Sequence, residues 1–147
     1  MLVTIFFRIR ALIAASPAMK PLLYPIYRFI GLVYSAQIPL QASFQDQPNF
    51  KHGLFGIFIA GGAKFGKNCT FFQQVTIGGV SGGGLRDGAP EVGDNCIFFP
   101  GCKVVGRVKI GNNCKIGPNV VVWEDIPDGT TIVHASQAFR KLSSEAK

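Results

Sequence analysis

The chain has 147 residues, 48% of them hydrophobic and 16% charged, which suits one compact domain and is too short for two. That balance excludes intrinsic disorder, and 18 glycines without a three-residue period exclude a collagen-like chain while favouring turn-rich β structure. The net charge is +7 and the first carboxylate is Asp46, so an anionic partner is favoured: nucleic acid, an acidic membrane surface or a phosphate-rich cofactor.

In residues 1–36, Ile5, Phe6, Ile9, Leu12 and Ile13, and then Leu22, Tyr24, Ile26, Tyr27, Ile30 and Leu32, recur at roughly helical intervals. This spacing predicts two short helices broken at Ser16-Pro17. Pro21 and Pro25 weaken the second, because proline lacks the donor that a helix interior needs. The opening stretch resembles a signal peptide superficially, but Arg8 and Arg10 interrupt it and it is read as retained. Basic residues also break every apolar run before it reaches 18, so these helices are expected to rest on a membrane surface, to cap the open end of the next domain or to pack on another subunit. Residues 37–52 read as an irregular connector.

From Gly53 onward the period is six. Val92, Phe98, Val104, Ile110, Ile116 and Val122 lead successive blocks, and Cys96, Cys102, Val108, Cys114, Val120 and Ile126 take the fifth place. Ile59, Phe65, Phe71 and Ile77 extend the series backward, with Ala63, Cys69 and Val75 fifth. Such a period predicts a triangular β-solenoid, three blocks to a turn. The leading residue points inward, a small fifth residue packs beside it, and Gly66, Gly93, Gly111 and Gly117 after the leader turn the corners. Cys69, Cys96, Cys102 and Cys114 all fall at fifth places, so they are expected to pack as small hydrophobes, with neither a disulfide framework nor a metal site. The six-residue step fails between Ile77 and Val92, where Gly82-Gly83-Gly84 and Arg86-Asp87-Gly88 predict a loop excursion over 79–91, the flap of a site or a tolerated surface insertion.

The run HGLFGIFIAGGAKFGKNCTFFQQVTIGG, the Gly-rich loop and the blocks VGDNCIFFPGCKVVGRVKIGNNCKIGPNVVV resemble the hexapeptide-repeat acyltransferases, in the branch of serine acetyltransferases and related sugar or polysaccharide O-acetyltransferases. The resemblance covers residues 52–133. It implies a left-handed parallel β-helix over 53–133, a homotrimer, and acetyl transfer from acetyl-CoA in clefts between subunits. It makes His52 the general base, a role that suits an imidazole, which can take a proton from a hydroxyl near neutral pH. His52 lies four residues before Gly56, one more than the family's usual three, which implies a one-residue insertion. The orienting carboxylate of the family has no counterpart near Gln37, leaving Asp46 as the candidate.

The resemblance also implies a coenzyme A site along Gly78, Gly79, Pro100, Gly101, Lys115 and Pro118. Lys103, Arg107 and Lys109 add an outward basic strip that either receives phosphates or is simply solvated. Serine acetyltransferases carry an R-H-P segment in the loop; here the match is Gly88-Ala89-Pro90, and Ala89 cannot hold a carboxylate. Arg86 and Asp87 are the acceptor-site candidates in the loop, and a sugar or polysaccharide precursor becomes the expected acceptor. Serine, or a catalytically silent solenoid binding a glycan or protein, are the alternatives. His134 reads as a surface residue opening a C-terminal tail over 134–147. Two histidines at opposite ends suit a zinc site poorly, and no aromatic platform or reading helix points to nucleic acid. The expected place is cytoplasmic, with peripheral contact at the inner face of the membrane through residues 1–36.

Overall fold

The computed structural model describes residues 2–84 and 87–134. Two helices, α1 (Leu2–Ala15) and α2 (Lys20–Val33), are joined by a short 3-10 turn at Pro17–Met19. The break falls at Ser16-Pro17 as the sequence predicts. Pro21 sits in the first turn of α2, where a missing N–H costs nothing, and Pro25 is accommodated within it.

The rest winds into a prism with three parallel faces. Face I comprises β1 (Ser43–Phe44), β4 (Lys64–Phe65), β7 (Glu91–Val92) and β10 (Lys109–Ile110). Face II comprises β2 (Asn49–Leu54), β5 (Thr70–Phe71), β8 (Ile97–Phe98), β11 (Lys115–Ile116) and β13 (Thr131–Ile132). Face III comprises β3 (Phe58–Ile59), β6 (Thr76–Gly78), β9 (Lys103–Val105) and β12 (Val121–Val122). This is the triangular solenoid that the six-residue period predicts and the left-handed parallel β-helix that the family resemblance implies.

Register explains the period. Phe44, Phe65, Val92 and Ile110 stack on face I; Phe50, Phe71, Phe98, Ile116 and Ile132 on face II; Ile59, Ile77, Val104 and Val122 on face III. These leaders are buried except Phe44 and Ile132, which are partly so, and the face II aromatic members form a column, with Phe50 to Phe71 at 5.3 Å and Phe71 to Phe98 at 5.0 Å. The fifth-place cysteines are fully buried beside them. Cys69, Cys96 and Cys114 each aim the thiol at a backbone carbonyl of the next rung, at 3.4 Å to Gly93, 3.1 Å to Gly111 and 3.2 Å to Pro127. Burial pushes the Cys69 thiol up to about 11 and those of Cys96 and Cys102 up to about 12.

Three expectations need correction. Residues 37–52 are no irregular connector: Gln37 bridges Phe58, while β1 and most of β2 already build the first rung, with Ile38, Ala42, Phe44 and Phe50 facing its interior. The chain's corners are turned by the fourth residue of a block and not by the second. Asn68, Gln74, Asn95, Gly101, Asn113 and Asn119 all have φ between 55° and 70°, the left-handed region that Gly and Asn enter at least cost. Gly66, Gly93 and Gly111 serve close approach instead, since a Cβ on Gly66 would lie 2.7 Å from the Gly93 carbonyl carbon. Finally, Ile126 occupies no fifth place. It pairs with Ile110 and so joins the leader column of face I, because the last III–I corner is two residues shorter than the period.

The helices close the prism's first end. Phe7 of α1 lies 5.6 Å from Phe50 and 5.7 Å from Phe44, prolonging the aromatic column by one ring. An open end would leave first-rung carbonyls bare. Arg10 donates to the carbonyls of Pro39 at 2.8 Å, Leu40 at 3.0 Å and Ala42, and Tyr27 donates to that of Ile38.

Candidate active site

His52 lies in β2, exposed on the outside of face II. Its position follows from an irregularity. Phe50 and Ile59 are nine residues apart, whereas the same step one rung later, Phe71 to Ile77, takes six. The three surplus residues form a bulge at the II–III corner, with Gly53 at φ 71° and Gly56 at φ 65°. Leu54 anchors the bulge by full burial, and Phe55 packs edge-on against Tyr34 at 4.8 Å.

Aromatic rings flank the imidazole. The ring of Phe72 lies 5.6 Å from that of His52, and Phe99 stacks on Phe72 at 5.4 Å. Sequence reasoning missed this wall, although its signal was there: both phenylalanines directly follow a leader, and the strand alternation turns them outward. It also missed Gln73, at the same corner, whose buried Oε1 has no hydrogen-bond partner.

The other site candidates are dispersed. Asp46 stands at the I–II corner, where its carboxylate accepts the Asn68 N–H at 2.8 Å. At the same corner Asp94, Asn112 and Asp128 each accept a backbone N–H from the preceding rung, at 2.7–2.8 Å, whereas the donor to Asp46 comes from the following one. Pro100, Gly101 and Pro118 share the II–III corner with His52's bulge; Lys115 lies exposed on face II; Gly78 and Gly79 lie across face III at the base of the loop. Lys103 turns back to the Gly101 carbonyl at 2.9 Å, and Lys64 pairs with Glu91 at 2.8 Å, which holds the Glu91 carboxyl below its ordinary range. Arg107 lays its aliphatic stem against Gly88.

The loop leaves at the III–I corner, pinned by reciprocal bonds between Val80 and Gly88 at 2.9 and 2.8 Å. Asp87 organises it by accepting the N–H groups of Gly82 at 3.0 Å and Gly83 at 2.5 Å, and those bonds depress its pKa. Ala89 is half-buried, its methyl turned to Gly62 and Gly79. Arg86 lies outside the described residues, as does the tail beyond His134, which is itself exposed. Among the described residues no three His, Cys, Asp or Glu side chains converge as a metal site.

Residues 89–122 match the bacterial transferase hexapeptide (six repeats) family. Together with the prism, this makes the chain a left-handed β-helix hexapeptide-repeat protein. Within that class it is serine acetyltransferase-like. It is 39% identical over 84 residues to the serine acetyltransferases of Staphylococcus epidermidis and of Staphylococcus aureus, a match covering 56% of this chain and 38% of each relative. It is similar to the crystal structure of Neisseria gonorrhoeae serine acetyltransferase in complex with serine, at 27% identity and a TM-score of 0.76 over 90% of this chain and 53% of that one. Soybean serine acetyltransferase apoenzyme matches at 28% identity and a TM-score of 0.71, over 86% and 50%. The chain thus spans about two-fifths of these curated relatives and about half of the solved chains.

Proposed function

We propose that the chain transfers an acetyl group from acetyl-CoA to a hydroxyl, with His52 as general base. The observation that carries this is an exposed imidazole beside the enlarged II–III corner of a prism otherwise like those of serine acetyltransferases. His52 takes the proton as the acceptor oxygen attacks the thioester carbonyl. Backbone N–H groups of the prism or loop steady the oxyanion, and the imidazolium returns the proton to the departing thiolate. Gly78, Gly79, Pro100, Gly101, Lys115 and Pro118 are the residues we assign to coenzyme A, the small ones admitting the pantetheine and Lys115 a phosphate.

Serine is the acceptor that the similar proteins favour. A sugar hydroxyl is the second reading, favoured by Ala89, whose methyl packs inward where serine binding would call for a charged or hydrogen-bonding group. Release of coenzyme A thiol with serine, and with simple and nucleotide-linked sugars, tests both. A His52-dependent signal with serine alone selects the first, and no His52-dependent release with any acceptor overturns the reading.

The site is also proposed to lie between subunits of a homotrimer. His52 belongs to face II near the II–III corner while the loop springs from the III–I corner, so one chain holds them apart by the width of face III. Outward residues support the same packing: face III shows Phe58, Val121 and Trp123, exposed at 46%, 49% and 61%, whereas face I shows the Lys64, Glu91 and Lys109 row. Light scattering giving three times the chain mass is the expected result.

A further inference from the structure

The face of α2 turned away from the prism is as apolar as the face turned toward it. Leu23, Tyr27, Ile30 and Gly31 face inward. On the other side Leu22, Ile26, Phe29 and Val33, spaced by four, three and four residues, form one continuous stripe, exposed at 70%, 48%, 64% and 56%. Leu32 widens it at 76%. A contiguous apolar stripe of this kind on a helix already anchored by its opposite face marks an interaction surface.

Charge selects the occupant. Residues 1–45 contain Arg8, Arg10, Lys20 and Arg28 and no Asp or Glu. Arg10 is engaged with first-rung carbonyls, whereas Arg8, Lys20 and Arg28 are exposed, Arg28 along the edge of the stripe. Two copies meeting through this stripe around a twofold axis would bring the same cations together. Among the described residues no helix is long and apolar enough to cross a membrane. A helix with a wide apolar face and cationic margins lies in the interface plane of an anionic bilayer, its large side chains among the acyl chains and its cations among the headgroups.

We propose that the outward stripe of α2, Leu22, Ile26, Phe29, Leu32 and Val33, with Arg28 at its edge and Lys20 at the start of the helix, docks this chain on an anionic lipid surface. Such docking would hold the prism by the end that α1 and α2 cap, leaving its three faces free.

Cosedimentation of the full chain with vesicles tests this, phosphatidylcholine alone against phosphatidylcholine mixed with phosphatidylglycerol. The expected result is at least about tenfold stronger partitioning onto the anionic vesicles, weakened severalfold by high salt. The double variant Leu22→Ser, Phe29→Ser should lose about tenfold or more of that binding with an unchanged melting temperature and assembly mass. Should that variant fold poorly, Lys20→Glu with Arg28→Glu leaves the apolar stripe intact and should abolish the preference for anionic lipid. Equal partitioning onto both vesicles overturns the proposal. So does wild-type binding in the serine or the glutamate variant, or an assembly mass that falls in the serine variant while vesicle binding persists, which would make the stripe a contact between copies.

Discussion

The imidazole of His52 and the ring of Phe72 lie 5.6 Å apart at 56°, on the outer surface of the prism and beside its enlarged II–III corner. Only the imidazole can move a proton; the phenyl ring offers surface. His52→Asn is therefore expected to lower kcat by about 10²–10⁴-fold while thermal stability holds. Phe72→Ala should act chiefly on the acceptor's KM. Steady-state assays of thiol release, with calorimetric melts of each variant, separate the two effects.

Arg10 seals the first rung. Its guanidinium reaches three carbonyls that no strand covers; without it those of Leu40 and Ala42 would lose this donor, while that of Pro39 would keep the Ala42 N–H. Arg10→Ala should cost about 2–3 kcal/mol. Arg10→Lys should recover only part of this, since a single ammonium lacks the planar fork. Urea midpoints of the two variants check the order.

Glycine and asparagine at the corners are not interchangeable. Asn95 has φ 57°, so Asn95→Ala should cost about 1–2 kcal/mol and Asn95→Gly much less. Gly66 has no positive φ, yet a Cβ there would lie 2.2 Å from Asp94 Oδ1 and 2.7 Å from backbone of the next rung. Gly66→Ala should therefore force adjacent rungs apart, at a cost of about 1–3 kcal/mol. Denaturant titration of all three variants distinguishes torsional strain from steric exclusion.

The buried thiols make stability fall in alkali. Unfolded thiols ionise near pH 9, but Cys69 keeps its proton to about 11 and Cys96 and Cys102 to about 12. Within that window the unfolded chain has released protons that the folded chain retains, so unfolding stability drops as pH rises above about 9 and is untouched below it. Urea midpoints measured against pH should show this slope, and Cys102→Ala should reduce it. At pH 8 the folded chain should resist a thiol reagent that labels all four cysteines once urea is added.

The six-residue period, the inward leaders and the role of the cysteines were legible in the sequence, because a solenoid is a one-dimensional object whose core repeats at a fixed interval. So was the break at Ser16-Pro17, where proline acts on its own neighbours. The offset of His52 from Gly56 could be counted, but the three-residue bulge beside it could not: a bulge with two positive-φ glycines shows only once the strands are paired in register.

What the tertiary structure alone decided was everything that joins residues from different rungs. The first rung hid in residues 37–52 because the three-residue surplus between Phe50 and Ile59 sets its leaders, Ile38, Phe44 and Phe50, out of phase with the later series, and because its end is covered by Phe7 and Arg10 of α1, more than 25 residues away. Asp46 looked like a partner for His52 by proximity in sequence, yet its carboxylate is taken by the Asn68 N–H one coil on. Local spacing sets which way a side chain points, since backbone geometry propagates along the chain. Which groups meet depends on how many residues each turn consumes, and a single irregular corner shifts every later neighbour.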